Sequence, residues 1–223
     1  MKFYNAMLSP FAARCRMLIY AKGLEVEFSE AWGDFSKEQL SLINPMGKVP
    51  VLEDGDLILP ESETICEYLE DRFPEPAMRP ESPEARARMR LLSRLTDLYV
   101  FEALSPLFGH LSRKTRDQAV VDRQLGALAK GLASVEHFLS EDGFAAGPSF
   151  SLADCAMVPI LFFVVTYLPY LGLEQPLQPY PRLMAYWSRV EQHESAARVI
   201  GEIREAMMAK ARAAKKASDG HKK

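Results

Sequence analysis

The chain has 223 residues, of which 48% are hydrophobic, and a formal net charge of -3 with an isoelectric point near 5.9. That length allows one large or two small domains with a buried core. A charge so close to balance gives no reason to expect nucleic acid or an anionic membrane as a partner. The composition is that of a soluble globular protein.

Three cysteines are spread along the chain, at Cys15, Cys66 and Cys155. Their odd number and wide spacing, with neither a CxxC pair nor a Cys/His cluster, argue against a disulfide framework and a zinc site. We therefore expect no metal, a cytoplasmic location and three thiols that serve as small core side chains. The first residues also lack the apolar run of a secretory signal peptide.

One apolar segment, residues 155–173, is nearly uncharged. It contains two prolines, Pro159 and Pro169, and is shorter than the roughly 20 apolar residues that a membrane span requires. A helix that is apolar on every side is also typical of the centre of a helical domain. We predict the buried central helix, and no membrane partner.

The first third of the sequence alternates between strand and helix patterns. In chain order we predict strand 2–6, helix 11–22, strand 24–29, helix 36–43, strands 49–52 and 57–59, and helix 62–73. This β-α-β-α-β-β-α order predicts a thioredoxin-like α/β domain with a mixed sheet. The proline-rich, polar stretch that follows is typical of a linker.

Beyond the linker only the helical period recurs, so we predict an all-helical second domain. Its helices are expected near residues 84–112, 117–140, 152–171, 180–192 and 195–214. Ser151 and Asp154 have the spacing of a capping box at the start of the third of these helices. The predicted division is an α/β domain at 1–75, a linker at 76–83, an all-α domain at 84–214 and a disordered basic tail at 215–223.

Residues 44–69 are the most informative stretch. A strand interior does not tolerate proline, so Pro50 marks a strand edge or a cis bond that leaves the backbone N–H and C=O of Val49 available to an outside partner. The Glu61-Ser62 pair then opens a helix, whose amides and hydroxyl can bind an anion. A free backbone edge close to an anion site predicts a small peptide ligand that carries a carboxylate.

These motifs resemble the glutathione site of the cytosolic glutathione transferase superfamily. Residues 9–14, Ser-Pro-Phe-Ala-Ala-Arg, are similar to the catalytic loop of its tau, zeta and omega-like branches. The resemblance covers nearly the whole chain. It implies an α/β N-terminal thioredoxin-like domain plus an all-α C-terminal domain, with glutathione as co-substrate, no metal and a homodimer. It also implies that Asp154 serves folding rather than catalysis.

The resemblance makes Ser9 the catalytic candidate, because its hydroxyl would hydrogen-bond the glutathione sulfur. A thiol with a pKa of about 8.5 is mostly neutral near pH 7, and a hydrogen bond at a helix N-terminus favours the thiolate. Ser9-Pro10 also fits an ordinary N-cap followed by proline, so both interpretations stay open. With Ser9 and Ala12 where thioredoxins have a cysteine pair, disulfide exchange through this loop is not expected.

The resemblance also implies contacts for the rest of the ligand. Ser62 would bind the γ-glutamyl carboxylate and Glu61 the α-ammonium group, while Val49 would hold the cysteinyl backbone. Lys48 and Lys37 are candidates for the glycyl carboxylate, although solvated lysines fit the sequence equally. An apolar electrophile would contact Leu8, Phe11, Tyr99, Phe101, Phe108, Phe163 and Tyr167. Aromatic residues at helical spacing are also typical of a core.

The sequence therefore predicts a detoxifying glutathione transferase that joins glutathione to a hydrophobic, aromatic electrophile. Ether cleavage, isomerisation and peroxide reduction on the same scaffold are alternatives. A further alternative is a non-enzymatic regulator resembling stringent starvation protein, whose relatives share the Glu-Ser-x-x-Ile-x-x-Tyr-Leu run at 61–69 and the Ser-Leu-x-Asp-Cys box at 151–155. A dimeric structural module without turnover is the third.

Overall fold

A computed structural model describes residues 1–31, 33–141 and 143–220, with side chains through residue 216. The chain forms two compact units. The first contains Met1–Tyr68 together with the C-terminal segment that starts at Glu194, and the second contains Leu69–His193.

The first unit has the predicted β-α-β-α-β-β-α order. Its elements are β1 (Lys2–Asn5), α1 (Pro10–Ala21), β2 (Glu27–Glu30), α2 (Lys37–Ile43), β3 (Val51–Asp54), β4 (Leu57–Pro60) and α3 (Ser62–Arg72), of which the last four residues are counted with the second unit. The sheet order is β2-β1-β3-β4, in which β1 is parallel to β2 and β3 is antiparallel to both β1 and β4. The predicted mixed, thioredoxin-like sheet is confirmed.

Two strands begin later than the sequence analysis predicts. β3 begins at Val51, because Pro50 has no N–H to donate to the ladder. β2 begins at Glu27, because the preceding residues still terminate α1. There the N–H of Leu24 donates to the carbonyl of Ile19 at 3.0 Å, and Gly23 has the left-handed φ of 62° that ends many helices.

The core of the first unit is apolar and includes fully buried side chains from the sheet and from both α1 and α3, among them Phe3, Leu52 and Ile65. Cys15 and Cys66 belong to this core, with their sulfur atoms 3.9 Å apart. All three cysteines of the chain are buried and none forms a disulfide, so the prediction of small core side chains is confirmed.

The last helix, α9 (Glu194–Gly220), belongs to the first unit, where it packs against α1. The sequence pattern alone had grouped this helix with the helical domain. α9 continues as a helix to Gly220, so part of the expected tail is helical. The remainder of that tail, residues 221–223, lies outside the described residues.

The described part of the second unit is helical. Its elements are α4 (Pro83–Leu95), a π-helical segment (Thr96–Phe101), α5 (Glu102–Leu104), a 3-10 segment (Ser105–His110), α6 (Gln118–Phe138), α7 (Leu152–Tyr167), a second 3-10 segment (Leu168–Leu171) and α8 (Pro181–Val190). The prediction of an all-helical second half is confirmed.

The single helix predicted near 84–112 is interrupted by the π-helical segment Thr96–Phe101. This segment lies close to α6 at Gly131, where a Cβ atom would be only 2.5 Å from the carbonyl oxygen of Tyr99. Glycine is therefore required for the contact. The π turn changes which side chains face the core, and helical periodicity in the sequence does not reveal it.

The stretch Leu152–Leu171 is long and apolar enough to cross a membrane, with a mean hydropathy of 1.9 over its most apolar window. In the fold, 78% of that window is buried, which is typical of a core helix. Every residue from Leu152 to Val164 is buried. The predicted central helix of the helical half is confirmed.

Candidate functional site

The register of the sheet brings three separate segments to one end. β1 ends at Asn5, and its Tyr4 lies opposite Val51, the first residue of antiparallel β3. Val51 also lies opposite Pro60, the last residue of β4. The loop after β1, the segment before β3 and the start of α3 therefore share one end of the sheet. Ala6 and Val49 pack against the same buried cluster there.

Val49 precedes Pro50 through a cis peptide bond. Its side chain is half-buried. Within the described residues, no hydrogen bond uses the backbone N–H or C=O of Val49. This residue therefore presents one free donor and one free acceptor at the end of the sheet, as the position of Pro50 predicts.

Glu61 has a backbone conformation that sequence reasoning missed. Its φ is 70°, and among the described residues it is the one non-glycine residue with a positive φ. A left-handed conformation costs a residue with a Cβ atom about 1–3 kcal/mol, and such strain clusters at functional sites. Its carbonyl accepts the N–H of Ile65 at 2.9 Å, so Glu61 takes part in opening α3. The exposed carboxylate is free to serve a ligand.

Ser62 is the first residue of α3 and is 5% exposed. Its carbonyl accepts the thiol proton of Cys15 at 3.5 Å, which joins α3 to α1 directly beneath the shared end of the sheet. The first amides of α3 point outward from the helix N-terminus, where a carboxylate is stabilised. This geometry suits an anion.

Ser9 is the N-cap of α1 and is half-buried. Its hydroxyl oxygen accepts the N–H of Ala12 at 3.2 Å, and Pro10 follows at the first helical position. The cap uses a lone pair, so the hydroxyl proton remains available for donation. No acidic residue occupies the first turn of α1, which leaves the positive end of the helix dipole unneutralised. The two interpretations of Ser9 are therefore compatible.

Lys37 and Lys48 are both exposed. Lys37 is the first residue of α2 and lines a groove of about 380 Å³ formed by residues 33–37 and Gln39. Lys48 follows Gly47, and its carbonyl accepts the side-chain amide of Asn44 at 2.8 Å. The side chains of both lysines extend into solvent.

Four of the predicted aromatic residues form one cluster in the second unit. The ring of Phe108 lies 6.5 Å from Phe101, 5.9 Å from Phe163 and 5.4 Å from Tyr167. The rings of Phe163 and Tyr167 stack at 5.5 Å. Burial, together with the neighbouring Tyr170, raises the pKa of the Tyr167 hydroxyl, so this phenol stays neutral at physiological pH.

Tyr99 does not join this cluster. It is 57% exposed and lines a separate groove of about 460 Å³ beside α6. Tyr99 and Phe101 lie two positions apart in the π-helical segment, about half a turn, so their side chains face opposite sides. Leu8 and Phe11 lie in the first unit, both half-buried, with the guanidinium of Arg14 5.6 Å from the Phe11 ring.

The second unit also contains a cavity of about 390 Å³, between residues 77–81 of the linker and residues 146–151. None of the predicted site residues lines it. Size alone does not make it the functional site, because the convergent free backbone groups and helix N-termini described above lie in the first unit.

Known proteins with the same two-part fold are similar to this chain in sequence. Family models for the glutathione S-transferase N-terminal and C-terminal domains match residues 3–77 and 118–187. A maleylacetoacetate isomerase of Pseudomonas aeruginosa is 32% identical, over 73% of this chain and 80% of that protein. A stringent starvation protein A homolog of Coxiella burnetii is 30% identical, over 87% of this chain and 88% of that protein.

A solved structure of glutathione S-transferase-I bound with lactoylglutathione is also similar. It has a TM-score of 0.75 and 30% identity, with 90% of this chain and 98% of that chain covered. The fold is thus that of a thioredoxin-like domain followed by a helical domain. This chain belongs to the glutathione transferase superfamily, as its motifs predicted.

Proposed function

We propose that the protein is a glutathione transferase, in which Ser9 stabilises the thiolate of bound glutathione for attack on a hydrophobic, aromatic electrophile. One observation carries the proposal: the free backbone of Val49, the strained Glu61, the N-terminus of α3 and the hydroxyl of Ser9 converge at one end of the sheet. The similarity to a transferase whose structure holds lactoylglutathione supports it.

In the proposed binding mode, glutathione lies extended beside Val49 and pairs its cysteinyl N–H and C=O with that backbone, as a peptide adds to a strand edge. The γ-glutamyl carboxylate accepts hydrogen bonds from Ser62 and the first amides of α3. The α-ammonium group pairs with the Glu61 carboxylate. Lys48 or Lys37, both exposed, binds the glycyl carboxylate.

The proposed reaction needs little from the protein beyond position and electrostatics. The thiol proton leaves to solvent, and the hydroxyl of Ser9 donates to the resulting thiolate at the positive end of α1. The sulfur then forms a bond to the electrophilic carbon, whose leaving group departs with its electron pair. We assign the apolar group of the co-substrate to Leu8 and Phe11, the half-buried apolar residues that flank Ser9-Pro10 in the first unit.

Ser62→Ala and Glu61→Ala test the glutathione contacts. Each variant should weaken glutathione binding by about tenfold, since each removes a hydrogen bond to a charged group, worth roughly 1.5 kcal/mol. Isothermal titration with reduced glutathione measures the change. Ser82→Ala is the matched control: it removes the hydroxyl that caps α4, which accepts the N–H of Ala85 at 3.1 Å, and should leave affinity unchanged. Equal affinities in all four proteins would contradict the proposed site.

A second candidate function is that of a non-enzymatic regulator, which the similarity to the Coxiella burnetii stringent starvation protein A homolog favours. Retention of the wild-type chain on immobilised glutathione, with elution by the free tripeptide, supports the transferase. Passage through the column without retention supports the regulator.

The similarity to a maleylacetoacetate isomerase supports isomerisation as the alternative reaction. A panel of aromatic halides, epoxides, aryl ethers, hydroperoxides and a cis-configured diketo acid distinguishes conjugation from ether cleavage, peroxide reduction and isomerisation. Family resemblance also supports a cytoplasmic homodimer, and sedimentation equilibrium tests the dimer directly.

A further inference from the structure

The loop between β1 and α1 is held through both backbone groups of Met7, two residues before Ser9. The N–H of Met7 donates to the Glu30 carboxylate at 2.7 Å, and its carbonyl accepts from Nη2 of Arg16 at 3.2 Å. The N–H of Ser9 donates to the carbonyl of Ala6 at 2.9 Å, which makes residues 6–9 one hydrogen-bonded turn. A displacement of Met7 is therefore transmitted to Ser9.

Asn5 links the two charged groups that hold Met7. Its side-chain amide donates to Glu30 at 2.5 Å, and its side-chain oxygen accepts from Nη1 of Arg16 at 2.7 Å. Asn5 is 0% exposed and so is Arg16. A guanidinium this deeply buried requires acceptors for its N–H groups, because an unpaired buried charge is strongly destabilising.

The remaining partner of Arg16 comes from the last helix. Nε of Arg16 donates to the Glu202 carboxylate at 3.1 Å. The other oxygen of Glu202 accepts from the hydroxyl of Tyr20 at 2.9 Å and from Nε of Arg198 at 3.3 Å. The Arg198 guanidinium stacks on the Tyr20 ring at 3.6 Å. Tyr20 and Arg198 thereby hold the carboxylate of Glu202 in the position from which it pairs with Arg16.

We propose that Arg16 and Glu202 are positioning residues for Ser9, so that α9 sets the place of the catalytic hydroxyl through the chain Glu202–Arg16–Met7. This inference rests on the proposed function. Neither side chain would touch glutathione. Their role is to keep the turn of residues 6–9 at the distance from Val49 at which the Ser9 hydroxyl reaches the sulfur, since a hydrogen bond to a thiolate weakens with small displacements.

Glu202→Gln is the test variant, because it keeps the side-chain shape, removes the charge that faces Arg16 and replaces one of the two acceptor oxygens with an amide donor. The pKa of the bound glutathione thiol should rise, and kcat at neutral pH should fall about three- to tenfold. KM for glutathione should change less than twofold, because Val49, Glu61 and Ser62 are untouched. The lost kcat should return at high pH, where the thiol ionises unaided.

Glu205→Gln is the matched control, as Glu205 lies on the same helix with an exposed side chain, and it should leave all of these quantities at wild-type values. Arg16→Lys, which keeps the charge and loses the forked contact to Asn5 and Met7, should reproduce the effect of Glu202→Gln. A lower melting temperature in Glu202→Gln with an unchanged thiol pKa would overturn the inference.

Amide hydrogen exchange in the ligand-free protein separates this inference from the proposed function. Exchange at residues 6–9 should be faster in Glu202→Gln than in Glu205→Gln, while exchange in β3 stays the same. Failure of the wild-type protein to bind glutathione would refute the proposed function. The exchange rates of the two variants could still be compared, because they are measured without ligand. Equal exchange at residues 6–9 in both variants would refute the positioning role.

Discussion

Ser9→Ala should lower kcat for conjugation at neutral pH by about 10²-fold, the usual loss when one donor to a developing or bound anion is removed. The pKa of bound glutathione should rise toward the value of about 8.5 that a free thiol has. Affinity for glutathione should change little, because the proposed contacts of Val49, Glu61 and Ser62 remain. Ultraviolet absorbance of the thiolate, recorded across pH in the binary complex, measures the pKa directly.

The same substitution also removes the cap of α1, which costs about 1 kcal/mol of stability in a typical helix. Ser36→Ala is the control for that effect. Ser36 caps α2 through its contact with the N–H of Gln39 at 3.3 Å, and its loss should destabilise the protein without altering the thiol pKa. If Ser9→Ala behaves as Ser36→Ala does, Ser9 is a helix cap and the proposed mechanism is wrong.

Asp154→Ala should lower the free energy of unfolding by about 3 kcal/mol or more, because it leaves several buried donors without an acceptor. The carboxylate is 0% exposed and accepts from the N–H of Ala145 at 2.9 Å, from both the N–H and the hydroxyl of Ser151 at 2.8 Å, and from the hydroxyl of Tyr186 at 3.0 Å. Denaturant titration followed by circular dichroism measures the loss.

The effect of Asp154 should also depend on pH. Burial raises its pKa from 3.8 to about 6, against the hydrogen bonds that favour the charged form. The native state then binds the proton more tightly than the unfolded state, so the contribution of this group to stability is greatest below pH 4 and declines as the pH rises through 6. Asp154→Asn should remove this pH dependence of the free energy of unfolding and retain part of the hydrogen bonding.

Asp117→Ala is the matched control for the loss of an aspartate at a helix start. Asp117 caps α6 at the surface, where it accepts the N–H of Ala119 at 3.0 Å, and its loss should cost only about 1 kcal/mol. A comparable loss in Asp117→Ala and Asp154→Ala would show that burial of the Asp154 network adds nothing. The expectation that Asp154 serves folding would then fail.

Local signals in the sequence were sufficient for much of the fold. The cap at Ser9, the box formed by Ser151 and Asp154, and the break in β3 at Pro50 all depend on contacts within about four residues. Each of them is present in the structure. Because the motifs of the shared sheet end are also local, their residues could be named from the sequence.

The left-handed backbone of Glu61 had no such signal. Glutamate has no preference for that conformation, which the surrounding turn into α3 imposes. The π-helical segment that interrupts the helix predicted near 84–112 was equally hidden, since its close approach to Gly131 involves a distant part of the chain. A helical period identifies residues that share one face of a helix, but it does not show which other element packs against that face.

By itself, then, the sequence determined the order of the elements and the α/β-plus-helical architecture, since these follow from short-range hydrogen bonding and the apolar period. The family was indicated by the resemblance of its motifs. Tertiary structure decided that α9 belongs with the first unit and that Arg16 is buried against Glu202, 186 positions away. The physical reason is that a charge can be buried only where distant elements supply its partners together. Tertiary packing meets that condition, and no local sequence pattern predicts it.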